Sequence, residues 1–213
     1  MDTETQWTAI EAERRSLAEL LGGLTDEQWD TPSLCARWRV RDVAAHVAMT
    51  PAGAPSTWEI VSGVARARGD LWRFGCTVAI AWAEAHSTAD VVAVLDEQAG
   101  SRRMPVVTNA QNILLDVLVH GQDIAVPLGL DRPVPTEPGL EAFHRIWSMG
   151  WPFHARTRLA GLTLEATDTD LSVGAGPAVR GRLADLLLLT TGRTEGARPR
   201  LEGPGADLLP VTT

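Results

Sequence analysis

The sequence predicts a mainly helical protein that closes with a small α/β unit. Two observations carry this expectation. From residue 5 to about residue 157, apolar side chains recur at helical spacing, punctuated by Gly, Pro and Ser. From Leu162 the pattern switches to the alternation of a strand, Leu162-Thr163-Leu164-Glu165-Ala166-Thr167. A length of 213 residues suits one large domain or two small ones. The change in texture places a helical domain at about 1–157 and a small α/β domain at about 158–213.

Each element has its own signal. Residues 5–21 read as an amphipathic helix through Trp7, Ile10, Leu17, Leu20 and Leu21, with Gly22-Gly23 as the stop. Thr25-Asp26-Glu27-Gln28 opens a short helical turn, and Thr31-Pro32-Ser33 is a loop. Residues 39–49 form a second helix with Val40, Val43, Ala44 and Val47 on one face, ended by Pro51 and Pro55. Residues 56–68, 71–85 and 88–100 read as helices, with breaks near Gly69 and Ser87. Pro105 precedes the next helix and Pro127 closes it. Residues 137–157 make another, disturbed by Gly150 and Pro152. Leu171-Ser172-Val173 can pair with the first strand across Thr169-Asp170, and Gly174, Gly176 and Pro177 mark a further turn. Residues 182–191 read as a helix, and Arg200-Leu201-Glu202 as a last strand.

Composition narrows the function. A hydrophobic content of 45% supports a real core. A net charge of −8 disfavours nucleic acid or an anionic membrane as partner. No apolar run reaches the ~18 residues of a membrane span, and Met1-Asp2-Thr3-Glu4 lacks a signal-peptide pattern. Cys35 and Cys76 form no CxxC and fit a reduced, cytoplasmic setting. Every positive residue is an arginine, and tyrosine is absent. Lysine Schiff-base chemistry and a tyrosine general acid are therefore excluded.

The chemistry concentrates in the helix after Pro105. At roughly 100° per residue, Leu114, Leu115, Val117, Leu118 and Val119 spread around most of its circumference, the pattern of a buried helix. Asn109, Asn112, Asp116, His120 and Asp123 nevertheless share one narrow stripe. A buried charge needs a partner or a metal. Asp116 and His120 stand four apart and point the same way. A metal site needs at least a third ligand, and His46, beside the Val40/Val43/Val47 face, is the candidate. Two histidines and a carboxylate leave a fourth zinc position open, the catalytic arrangement; the same set suits Fe(II) or Ni(II). Asp123 is placed to orient a ligand histidine or to meet substrate, and Asn112 is a similar candidate.

Blander readings stand beside these. The stripe can equally be a partly solvated face between two domains. His86 reads as a helix C-terminal cap, and His144 and His154 as surface or interdomain residues. Arg37, Arg39 and Arg41 read as a solvated face, and Cys35 and Cys76 as small buried hydrophobes.

Three segments also carry a family resemblance. Residues 31–47, Thr-Pro-Ser-Leu-Cys-Ala-Arg-Trp-Arg-Val-Arg-Asp-Val-Ala-Ala-His-Val, resemble the N-terminal signature of the mycothiol-dependent maleylpyruvate isomerase family. Residues 116–129 resemble its second signature, E-x-x-x-H-x-x-D followed by P-L-G. Residues 176–193, ending in Gly192-Arg193, resemble the end of its C-terminal domain. The resemblance implies a DinB-like four-helix bundle holding a metal through His46, Asp116 and His120, followed by a small α/β domain related in shape to sterol-carrier domains. It further implies mycothiol as cofactor, a small-molecule electrophile as substrate, and isomerisation or S-transfer as the reaction. Asp123 would then orient the ligand histidine, and Arg193 would reach over to a substrate carboxylate. A monomer or homodimer is expected. The rivals are a binding protein of the same fold without turnover and a metal-free scaffold.

Three positions depart from the family pattern. Asp116 stands where the family has glutamate, one methylene longer. Arg39 stands where a Ser or Thr would cap the second helix, a loss of typically ~1 kcal/mol. Arg37 stands where glycine is frequent.

Overall fold

The computed structural model describes residues 1–53, 71–105 and 108–209. The helix expected over 56–68, with Pro55 and Gly69, lies outside the described residues. Helix α1 (Thr3–Gly22) starts where the Asp2 side chain accepts the Thr5 amide, satisfying an N–H that the first turn would leave unpaired. Helix α2 (Asp26–Trp29) carries a capping box in which Thr25 and Gln28 bond each other's backbone amides. Helix α3 (Val40–Gly53) runs through Pro51 and past the end expected at residue 49. Proline there forfeits only one bond near the frayed end, and Ser101 Oγ donates to its carbonyl at 2.9 Å.

Helices α4 (Leu71–Ala85) and α5 (Thr88–Glu97) are separated by Ser87, which forms a second capping box with Asp90. Helix α6 (Ala110–Ala125) bears the polar stripe. Helices α1, α3, α5 and α6 make the bundle: α1 and α3 each pack on both α5 and α6, and α4 lies against α3. No single helix among the described residues is long and apolar enough to cross a membrane.

The long helix expected over 137–157 is two helices, α7 (Thr136–Ser148) and the single turn α8 (Ala155–Arg158). Gly150 and Pro152 interrupt it outright rather than kink it. Strands β1 (Thr163–Ala166) and β2 (Ser172–Gly174) pair antiparallel, as the alternation implied. A third strand, β3 (Ala178–Gly181), pairs parallel with the other edge of β1, giving the order β2-β1-β3. Four residues between a Gly-rich turn and a helix left no periodic trace. The strand expected at 200–202 is instead a short 3-10 turn followed by one bridge, Arg180 to Glu202. Helix α9 (Leu183–Thr190), buried at every position, packs on α7, α6 and the sheet. The short α10 (Thr194–Ala197) follows.

Helix α6 is apolar all round because it serves two cores. Leu114, Leu115, Leu118 and Val119 face a cluster with Trp7, Ile10, Phe143, Ile146, Leu164, Val179 and the leucines of α9. Val117 and Ile124 face the other, with Leu17, Leu21, Trp29, Trp38, Val43, Val47 and Leu95. At about 1.5–3 kcal/mol per buried Leu, Ile or Phe side chain, this double packing fixes the helix firmly.

One crossing sets how α6 meets α1. The Arg132 guanidinium, from the segment after α6, lies over Gly121 and bonds Glu13 Oε2 at 2.8 Å, the Glu13 carbonyl at 3.2 Å and Ser16 Oγ at 3.0 Å. Burial pushes the Glu13 carboxyl above its ordinary range, and Arg132 opposes that shift. A Cβ on Gly121 would come 2.8 Å from Arg132 Nε. Gly121→Ala therefore gains helix propensity but dislodges the arginine. A net loss of about 1–3 kcal/mol is expected, as for an overpacked core. Urea unfolding checks it; a midpoint equal to wild type would show that Arg132 moves aside freely.

Candidate metal centre

The polar stripe of α6 is graded. Asn109 caps the helix, accepting the Asn112 amide at 2.9 Å, and is spent on that task. Asn112 is half-buried and accepts a hydrogen bond from Arg145 Nε at 2.8 Å. The Asp116 side chain is 36% exposed and faces a cavity, whereas Asp123 has no exposure at all. The stripe is thus the wall of a pocket that deepens toward the C-terminus of α6. It is buried only at its lower end.

Three donor groups converge on this wall. His46 Nε2, from α3, lies 3.4 Å from Asp116 Oδ2, and His120 Nε2 lies 3.4 Å from Asp116 Oδ1. These separations are long for charge-assisted hydrogen bonds, which close to about 2.7–2.9 Å. They match the edge of a tetrahedron of N and O atoms about 2.0–2.1 Å from a central zinc, where neighbouring ligands stand roughly 3.3 Å apart. Ligand atoms of all three residues lie within 4.8 Å of one another. The donor set therefore fits a divalent cation, with the cavity on its open side.

The imidazoles are oriented from behind. His120 Nδ1 pairs with Asp123 Oδ2 at 2.8 Å. That bond favours a proton on Nδ1 and turns Nε2, the atom a metal would take, toward Asp116. Among the described residues, His46 Nδ1 is buried without a hydrogen-bond partner. Its ring is held by packing instead, 5.3 Å from Trp38 and 4.9 Å from His120 between centroids.

A second cluster sits one layer deeper. Arg193 Nε donates to Asp123 Oδ1 at 3.0 Å and Nη2 to Oδ2 at 2.9 Å, a bidentate clamp. Arg193 Nη2 also reaches Cys35 Sγ at 3.2 Å, and that thiol donates to Asp123 Oδ2 at 3.0 Å. The backbone explains how Arg193 arrives there. Gly192 (φ +91°) donates to Leu189 O and Arg193 to Leu188 O, a Schellman ending that turns the chain out of α9 toward α6. Cys35 comes from the loop before α3, which is tied to α6 by Leu34 N donating to Asp123 O at 3.2 Å.

Charge follows this geometry. Burial pushes the Asp123 carboxyl up, but His120 and Arg193 outweigh it and hold the group well below the carboxylate range. Asp116 behaves alike: burial acts upward, and His46 and His120 overcome it. Burial lowers the His120 imidazole, yet Asp116 and Asp123 raise it well above its ordinary value.

The structure thus brings His46, Asp116, His120, Asp123 and Arg193 together around a cavity of about 520 Å³. Four of the five line it; Asp123 lies behind. Cys35 is buried in the second core as expected, but its thiol also joins the polar network around Asp123. Its neighbour Trp38 was equally silent, since a tryptophan between two arginines gives no sign of resting on two histidines. His86 does cap its helix, with Nδ1 2.8 Å from Trp82 O. His144 and His154 are on the surface. Of the three arginines expected on a solvated face, only Arg37 is fully so, and it adopts φ +74°, where glycine is the easier residue. Arg39 instead pairs with Asp42, whose carboxylate also accepts the Arg39 amide at 2.9 Å and so completes half of a capping box. Arg41 reaches Asp30 at 3.6 Å.

Residues 10–125 match the family model of the mycothiol maleylpyruvate isomerase N-terminal domain. Among solved structures, a histidine-to-alanine mutant of the mycothiol-dependent maleylpyruvate isomerase superposes with a TM-score of 0.61 at 13% identity, covering 97% of this chain and 94% of that one. The mycothiol-dependent maleylpyruvate isomerase itself superposes at 0.57 and 17% identity, with the same coverage. These likenesses carry the fold. No curated protein matches the chain in sequence.

The Asp123 clamp has a stability signature. Arg193→Leu would leave a fully buried carboxylate without its cation, a loss of about 3–5 kcal/mol. The folded Asp123 titrates below its unfolded value of ~3.9, so its contribution is complete above that pH and fades as pH falls. Chelator-treated protein is expected to lose melting temperature below about pH 4, and Asp123→Asn to show a shallower acid limb. Parallel acid limbs would show that Asp123 is not the titrating group.

Proposed function

The chain belongs to the mycothiol maleylpyruvate isomerase family, and from that membership and its converging donors we propose a metal-dependent enzyme that activates mycothiol. It passes the thiol to a small electrophile, by addition to a conjugated double bond in isomerisation or by S-transfer. His46, Asp116 and His120 would hold the metal, with zinc the assignment for two imidazoles and a carboxylate. The observation that carries the reading is the 3.4 Å spacing of both Nε2 atoms from Asp116 at the wall of an open cavity.

When bound, the metal supplies Lewis acidity that keeps a coordinated thiol as its nucleophilic thiolate. The protein's own residues do the rest. Asp123 fixes the tautomer of His120, and Arg193 keeps Asp123 ionised. Trp38 packs against both imidazoles and limits their rotation. Ile113, Leu115, Val119, Met149 and Phe153 give the cavity apolar walls that exclude water from the reacting atoms. Arg193 spends three donors on Asp123 and Cys35, and Nη1 bonds Thr191 O at 3.0 Å. Among the described residues its remaining N–H has no partner, and it is the one that would meet a substrate carboxylate.

The same reading assigns residues 1–157 to a DinB-like metal-binding domain and 158–213 to a small α/β domain that delivers Arg193. It places the protein in the cytoplasm as a monomer or homodimer, with small molecules rather than nucleic acid or membrane as partners.

Two measurements test this. Elemental analysis of protein purified without chelator is expected to find about one divalent metal per chain, retained in Asp116→Glu and largely lost in Asp116→Ala and His120→Ala. Full retention in His46→Ala and His120→Ala together would remove the site. Calorimetry is expected to show mycothiol binding the metal-loaded protein at least ~10-fold more tightly than the apo form, and S-methylmycothiol binding poorly, as sulfur ligation requires. Equal affinity for the two thiol forms would refute it, and thiol binding without conjugation to any electrophile would leave a binding protein.

A further inference from the structure

The segment joining α7 to α8 has two faces. Met149, Trp151, Pro152 and Phe153 line the metal cavity, whereas Gly150 and His154 line a separate hollow of about 540 Å³ with Trp147, Ser148, Arg156 and Thr157. Trp147 and Arg156 also border an adjoining apolar hollow of about 310 Å³, floored by Leu159 and Leu162. Both volumes fall in the range of small-molecule sites, ~300–1,000 Å³. Two features give this hollow a fixed shape. Trp147 stacks on the fully buried Phe143, with centroids 6.1 Å and planes 15° apart, so one indole face rests on the core and the other is left to the hollow. His154 takes φ +47°, a left-handed conformation that costs a residue with a Cβ energy and that gathers at ligand sites. It lays the imidazole over Gly150, where a Cβ would stand 3.9 Å from Nδ1.

The polar groups of the hollow make opposite demands. Arg156 can only donate hydrogen bonds. Ser148 Oγ already donates to Arg145 O at 3.0 Å, so toward the hollow it can only accept. An anion answers Arg156 but not Ser148, and an ammonium group answers Ser148 but not Arg156. A hydroxyl both donates and accepts and answers the two together. The C–H face of a hydroxylated ring in turn suits the negative face of an indole. We infer that this hollow is a second binding site, separate from the metal centre, for a hydroxyl-rich ring such as a sugar or cyclitol, seated on Trp147 with its hydroxyls on Ser148, Arg156 and Thr157. That chemistry has two sources: a free polyol, or the sugar–cyclitol body of mycothiol reaching past Met149, which stands in the walls of both the hollow and the metal cavity. The site itself is independent of the function proposed above; only the second source rests on it.

The test uses the full-length chain, chelator-treated and zinc-loaded, and follows indole N–H resonances by NMR, with Trp147 assigned from Trp147→Phe. Probes are methyl glucoside, myo-inositol, inorganic phosphate, mycothiol and N-acetylcysteine, the thiol end of mycothiol without its sugar. Either polyol is expected to shift the Trp147 resonance saturably in both metal states and to leave that of Trp38, which packs on the metal-centre imidazoles, in place. Arg156→Ala and Ser148→Ala should each weaken the polyol at least ~3-fold, the loss of one hydrogen bond. Both residues are exposed, so these variants are expected to keep the wild-type circular dichroism spectrum and melting temperature. Zinc-loaded protein that binds mycothiol at least ~10-fold more tightly than N-acetylcysteine, with the gap narrowed in Arg156→Ala, assigns the site to the body of the thiol. Equal affinity for the two thiols, with the polyol shift intact, assigns it to a free polyol. A Trp147 resonance unmoved by both polyols and by mycothiol overturns the inference, as does a response to phosphate at lower concentration than to either polyol, or polyol affinity unchanged in both Arg156→Ala and Ser148→Ala. The Trp147 response in a protein that takes up no metal sustains the inference while refuting the metal reading.

Discussion

Asp123 has no contact with water, so its charge must be met entirely by protein donors. Three parts of the chain supply them: His120 one turn back on the same helix, Cys35 from the loop before α3, and Arg193 from the turn after α9. None of these donors can leave without exposing a buried ion to hydrocarbon. The carboxylate therefore ties the helical bundle to the turn after α9, and so brings Arg193 to the wall of the cavity.

The demands of Asp123 propagate to the surface of the pocket. Holding the His120 Nδ1 proton aims Nε2 at Asp116, and Asp116 sits midway between the two imidazoles at 3.4 Å from each. Polarity along α6 is thus ordered by depth: a cap at Asn109, an anchor for Arg145 at Asn112, the donor cluster at Asp116 and His120, and the buried clamp at Asp123. One helix can carry this series because both of its remaining flanks are packed, one into each apolar core. The rigidity that buried leucines give α6 is what a site needing sub-ångström placement requires.

Departures from the family pattern find different physical answers. The shorter side chain at Asp116 does not open the cluster, since both imidazoles still lie within reach of the same carboxylate. Arg39 loses the side-chain acceptor of a cap, but Asp42 bonds both its amide and its guanidinium, so charge replaces part of what the hydroxyl would give. Arg37 receives no such compensation: it is exposed, in a left-handed conformation that glycine would adopt without strain.

By itself, the sequence determined the helical class, the course of α1, α3, α4, α5 and α6, the first β hairpin and α9, because each carries a periodicity or cap that acts over neighbouring residues. It also marked Asp116, His120 and Asp123 as one stripe, since spacing along a helix is a local property. Tertiary structure decided the rest. Short β3 exists because β1 offers it an edge, and the stretch at 200–202 is not a strand because only one bridge forms there. The length of α3 past Pro51, the break between α7 and α8, and the two-core burial of α6 were likewise settled by packing. The roles of Cys35, Trp38, Arg145 and Arg132 arise from contacts between residues 33 to 158 positions apart, which no local pattern encodes. A buried charge recruits its partners through space, and only the folded chain brings them near enough to answer.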